Sequence, residues 1–79
     1  MDKDLTVYPI PAGNELHVFS SGNILFIKIM DMSGNVIYNR VAAQGNKHVV
    51  DIRQLPAATY IVEAAFDDDR KGRSIFVKM

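Results

Sequence analysis

Short runs of alternating apolar and polar residues recur along the chain, separated by turn residues roughly every 8–12 positions, a spacing that predicts an all-β sandwich or barrel. The first run is LTVY, Leu5–Tyr8. It ends at Pro9-Ile10-Pro11-Ala12-Gly13, where two prolines remove ladder donors. ELHVF, Glu15–Phe19, sets Leu16 and Val18 on one face and stops at Ser20-Ser21-Gly22-Asn23. ILFIKIMD, Ile24–Asp31, runs into Met32-Ser33-Gly34-Asn35, where Gly34 suits a left-handed turn position. VIYNRVA, Val36–Ala42, returns as the second arm of a hairpin. Gln44-Gly45-Asn46 turns the chain into Lys47–Ile52. Tyr60–Phe66 alternates as a sixth run, Asp67–Gly72 makes the last turn, and Arg73–Met79 closes the chain. No window carries the helical period, so almost no helix is expected.

Seven short strands in 79 residues predict an immunoglobulin-like or fibronectin-like antiparallel β-sandwich of seven strands. The stretch LPAATYIVEAAF sharpens this reading. Such sandwiches often carry a tyrosine near the start of the sixth strand whose hydroxyl bonds to backbone a few residues upstream. Leu55, Pro56 and Tyr60 fit that corner, with Leu55-Pro56 crossing between the sheets. The alternative is that Tyr60 is simply a core aromatic.

Nine Lys plus Arg balance nine Asp plus Glu. A formal net charge of zero argues against nucleic acid or an anionic membrane as an electrostatic partner. No apolar run approaches the roughly 20 residues needed to cross a bilayer, so no membrane insertion is expected. The start, Met1-Asp2-Lys3-Asp4, is polar and has no signal-peptide pattern. Residues 1–79 read as one domain, with 1–4 a disordered lead-in. Work outside the cytoplasm would require a longer parent protein. The absence of cysteine leaves no disulfide but does not exclude an extracellular destination.

Candidate chemistry is sparse. His17 and His48 are the only histidines and read as outward surface residues. A structural zinc site needs four protein ligands, and no sensible set exists. Asp67-Asp68-Asp69 lacks the ligand spacing of a calcium loop and reads as a solvated turn. Ser20, Ser21 and Ser33 have no base and orienter to activate them. Phosphate-binding glycine patterns are absent. The expectation is a protein that is not an enzyme, with no catalytic residues, metal or cofactor.

Four segments in order carry a family likeness: VYPIPA (Val7–Ala12), IMDMSGNVI (Ile29–Ile37), VDIRQLPAATYIV (Val50–Val62) and a final basic-apolar strand. Together they resemble the C-terminal sorting domain of cargo proteins exported by the type IX secretion system of Bacteroidota. The chain departs from the family pattern at three places. Ile10 stands where Asn is usual, Asn35 where Lys is common, and Ala58 where Gly is usual. If position 58 needed a positive φ, Ala there would cost roughly 1–2 kcal/mol.

The resemblance implies a secretion signal fused to an upstream cargo domain. Its path runs through the periplasm to the outer-membrane surface or the medium. Its partners would be the type IX translocon and a sortase-like surface peptidase that removes the domain after export. The terminal residues Ile75, Phe76, Val77, Lys78 and Met79 would then carry translocon recognition, and a chain that ends on a strand suits a terminal address. The last strand is expected at a sheet edge, open to strand addition. With Ile75 and Val77 facing the core, Phe76 would point outward. It would join Phe26, Met30 and Ile61 in an exposed apolar patch flanked by Lys28, Glu63 and Lys78. A bulge near Met30 would reverse that alternation. Weak self-association through the edge strand would follow. The competing function is a fibronectin-like adhesion or spacer module, which should tolerate loss of the terminal residues. Its carbohydrate-binding version is weakened by the absence of Trp.

Overall fold

Which side of each strand is buried decides how this chain closes on itself. The computed structural model describes residues 5–9, 12–41, 45–67 and 70–79. The strands are β1 (Leu5–Tyr8), β2 (Glu15–Ser20), β3 (Ile24–Asp31), β4 (Val36–Val41), β5 (Lys47–Asp51), β6 (Ala58–Phe66) and β7 (Lys71–Lys78). They form two antiparallel sheets, ordered β1-β2-β5 and β4-β3-β6-β7. The described residues contain no helix, and so none long and apolar enough to cross a membrane. This is the seven-stranded sandwich that the spacing of the runs predicts. Ala42, Gln44 and Ile10 lie outside the described residues, as does the 1–4 lead-in.

Strict alternation builds the core. Leu16, Val18 and Val50 face inward from the smaller sheet, and Ile27, Ile29, Val62 and Phe76 from the larger. β6 lies second from the edge of its sheet and buries Val62, Glu63 and Ala64 in succession. Two register shifts adjust β3. One skips Leu25 against β6, and the other lies between Ile29 and Met30 against β4, where Met30 pairs with Val36 and Ile37 is passed over. The extra residue therefore sits in β4, and Met30 keeps its outward side.

One corner joins the two sheets and another closes a hairpin within the larger one. At the β5–β6 crossover, Tyr60 is buried and its hydroxyl donates to the Pro56 carbonyl. That bond lets the ring enter the core with its polar end satisfied. Ala58 opens β6 as an ordinary ladder residue opposite Lys78, so the strand accommodates Ala there. At the β3–β4 turn, Gly34 has φ +92° and its N–H donates to the Asp31 carbonyl. Asp31 Oδ1 accepts the N–H of Ser33 and of Asn35, each at 2.9 Å, and Oδ2 accepts from Asn35 Nδ2 at 3.1 Å. Asn35, a departure from the family pattern, thus ties the turn closed through its own side chain.

Candidate functional site

β7 is an edge strand of the four-stranded sheet, and its side chains alternate sharply. Gly72, Phe76 and Lys78 turn inward and are buried, whereas Lys71, Arg73, Ile75 and Val77 turn outward. This reverses the expected orientation. Phe76 is wholly buried, while Ile75 and Val77 are 52% and 40% exposed. The cause is register. Tyr60 sits opposite Phe76, so the two share the core face, with ring centroids 5.5 Å apart. One residue of slip exchanges every side chain between faces. Counting apolar residues favours the row Ile75–Val77, but pairing with the buried Tyr60 puts Phe76, and not those two, on the core face. Lys78, expected at the outer flank, points inward and donates its Nζ to the Met79 carbonyl at 2.9 Å.

The predicted patch of Phe26, Met30, Ile61 and Phe76 therefore does not exist as such. Phe26, Met30 and Ile61 do lie on the outer face, but each is half-buried. In place of Phe76 stands Ile75, cross-strand from Ile61. Val36, Met30, Ile61 and Ile75 form one apolar row across all four strands. Val77 extends it along β7, opposite Thr59.

A polar row runs beside it through Asn39, Lys28, Glu63 and Arg73. Glu63 Oε2 accepts from Arg73 Nη2 at 2.6 Å, and Lys28 Nζ lies 3.6 Å from Oε1. The Arg73 hydrogen bond holds the Glu63 carboxyl below its ordinary range, with the Lys28 charge adding to this and burial opposing it. Lys71 lies two pairs further along, and Glu63, Lys71, Gly72 and Arg73 line a shallow open cleft.

The outer end of β7 is strapped. The Ala12 N–H donates to the Val77 carbonyl at 2.7 Å, and the Met79 N–H donates to the Ala12 carbonyl at 2.9 Å. Ala12 thus adds a short parallel bridge to the last turn of β7. Ala12 pins the terminal residues from outside.

On the other sheet neither histidine is a free surface residue. His17 stacks on Tyr8 with centroids 4.9 Å apart and is half-buried. His48 lies opposite the core residue Val18, at the rim of the core face, and its Nε2 meets the Gly45 carbonyl at 3.1 Å. At the same sheet's edge, Arg53 forks onto Asp51 at 2.8 Å and holds that carboxyl down to about 2. Among the described residues no group of three or more His, Asp or Glu side chains is placed to hold a metal ion. Asp68 and Asp69 of the expected solvated turn lie outside those residues.

In fold the chain is similar to CopC from Methylosinus trichosporium OB3b, with a TM-score of 0.54 and 14% identity over 98% of this chain and 80% of that one. Identity that low bears on the fold alone. No curated protein matches the chain in sequence. The family model described as the secretion system C-terminal sorting domain matches residues 6–78. That span runs from β1 through the buried ring of Phe76 to Lys78, so this chain belongs to the family of type IX secretion C-terminal sorting domains.

Proposed function

We propose that residues 1–79 form a single sorting domain that carries an upstream cargo domain through the periplasm and the type IX translocon. A sortase-like surface peptidase then removes it, at the cell surface or in the medium. Its role is non-catalytic. The observation that supports this reading best is the construction of the terminal strand. Phe76 and Lys78 anchor it from within and Ala12 straps it from outside, while Ile75 and Val77 are left outward. A terminal signal read by another protein needs such a combination of a fixed backbone and an apolar row open to contact. Recognition then falls on the outward residues of the Ile75–Met79 segment, with Phe76 and Lys78 holding them in place. The family match along residues 6–78 supports sorting over an adhesion or spacer role.

Export of a reporter tests this. The domain is fused to the C-terminus of a periplasm-targeted fluorescent protein in a Bacteroidota host. Deleting Ile75–Met79 is a poor control, because it also removes Phe76 from the core. The control is the paired substitution Ile75→Thr and Val77→Thr, checked for folding by circular dichroism. The native fusion is expected at the surface or in the medium and the folded variant in the periplasm. A stable native fusion that never leaves the periplasm sinks the proposal.

A further inference from the structure

We propose that the open half of the β7 edge, from Lys71 to Ile75, accepts an added strand from an extended acidic segment of another protein. It rests on the sorting reading only for which protein supplies that segment.

The direction of the backbone groups comes first. The Val77 carbonyl and the Met79 N–H both point away from β6, toward Ala12. The β6–β7 ladder is regular from Lys71 to Lys78. In an antiparallel ladder the residues that turn outward alternate. The N–H and C=O groups of Lys71, Arg73 and Ile75 therefore face the outer edge as well. Among the described residues, no backbone group bonds them there. The lower half of the same edge already takes an added segment, since Ala12 is bridged onto it. Above that bridge β1 lies against β7 without a ladder between them, so the outward groups of the upper half stay unbonded among the described residues. Strand addition of this kind takes its affinity from main-chain bonds and its specificity from alternate side chains.

The alternate side chains name the occupant. Lys71, Arg73 and Ile75 all project onto the outer face. Beside them stands Lys28, so three cations surround the single carboxylate of Glu63. Lys71 makes no ion pair among the described residues. The chain as a whole is neutral, but on this outer face Lys28, Lys71 and Arg73 outnumber the one carboxylate of Glu63. Lysines alone are a common guard against edge pairing. A pure guard, however, would not leave Ile75 half-exposed next to Ile61 and Met30. An antiparallel segment reading apolar-x-acidic-x-acidic would set its apolar residue beside Ile75 and its carboxylates beside Arg73 and Lys71. A second copy is a poorer occupant. Residues 71–78 contain no acid, so two β7 edges would oppose cation to cation or cation to apolar side chain.

The probe is the capped peptide Thr-Val-Thr-Glu-Thr-Glu-Thr, titrated into isotope-labelled domain and followed by amide shifts. A second peptide carries Gln for both Glu. Binding is expected to centre on Lys71, Arg73 and Ile75 and to weaken with salt. Each carboxylate removed should weaken it about threefold. The variant Lys71→Glu, which leaves the Glu63–Arg73 pair in place, should lose affinity for the acidic peptide and gain it for one with Lys in place of Glu. Equal affinity of the Glu and Gln peptides overturns the inference. So do shifts centred on β4 or the smaller sheet, the absence of shifts at millimolar peptide, or a sedimentation dimer formed through β7. A domain that exports its reporter yet does not distinguish the peptides refutes this inference and leaves the sorting role standing. One that binds as expected but never exports does the reverse.

Discussion

The two edges of the four-stranded sheet, β4 and β7, are built on opposite principles. β4 is exposed along its length apart from half-buried Tyr38, and Val41 is 77% exposed. It is held by its ladder with β3 and by the Asp31 turn. β7 has its ladder with β6, the buried Phe76 and the strap at Ala12. A peripheral hairpin arm is thus one edge, and a part of the core is the other. The residues at the end of the chain are therefore structural and presentational at once, through alternate side chains. Under the proposed reading, a partner reads Ile75 and Val77 on the folded strand without pulling it loose.

The largest effect should come from Phe76. Phe76→Ala removes a wholly buried ring and is expected to cost about 3–5 kcal/mol. A domain of this size holds only roughly 4–12 kcal/mol in total, so the variant should be largely unfolded or close to it. Val41→Ala on the opposite edge should stay within about 0.5 kcal/mol. Urea denaturation of the two variants checks this. Similar midpoints would erase the contrast between the edges. Tyr60→Phe comes next, with the loss of the bond to Pro56 expected to cost about 1 kcal/mol by the same measurement. A neutral result would reduce the corner to an ordinary core aromatic.

These variants also show what could be read without coordinates. The seven strands and the corner were legible because turn residues and a Leu-Pro-x-x-x-Tyr spacing are local signals. The face of β7 was not. Its pattern, Gly72-Ser74-Phe76-Lys78 against Arg73-Ile75-Val77, has more apolar residues in the row that ends outside. Only pairing with Tyr60 settles the face, and hairpin register is set at the turn rather than in the strand. The legible clue was the corner itself. A buried Tyr60 fixes the core face of β6, and the cross-strand partner must share it. Net charge says nothing of placement. A net of zero hides the cations that folding gathers along Lys28, Lys71 and Arg73. His17 does turn outward, where Tyr8 stacks on it and half-buries it, whereas His48 turns to the core rim because it pairs with Val18.

A smaller effect should appear with pH. The folded Glu63 carboxyl titrates below its ordinary value. The stability it contributes is therefore present above the unfolded value, near pH 4.5, and is lost as pH falls through the lower folded value. Glu63→Gln should flatten the acid limb of a stability-against-pH curve and lower its neutral plateau by the amount that limb carried, because the amide stands in for the protonated carboxyl. Asp51 offers a contrast. Arg53 holds it at about 2, but the pair is exposed to water, where ion pairs contribute little. Asp51→Asn should leave that limb almost unchanged. If the Asp51 variant flattens it instead, the acid sensitivity belongs to the smaller sheet and not to the β7 face.

The smallest effect on stability is expected where the effect on export is greatest. Ile75→Thr and Val77→Thr keep the β-branched shape that an edge strand favours and remove only outward apolar groups. Each should shift stability by no more than about 0.5 kcal/mol. Val36→Thr and Val41→Thr on β4 make the matched pair, since Val36 belongs to the same apolar row at its far end. If only the β7 pair abolishes export of the reporter while both pairs stay folded, the terminal strand is the part that is read. If both pairs abolish it, the reading surface spans the whole outer face, from β4 across Met30 and Ile61 to β7. The contrast between the two edges would then be one of stability alone.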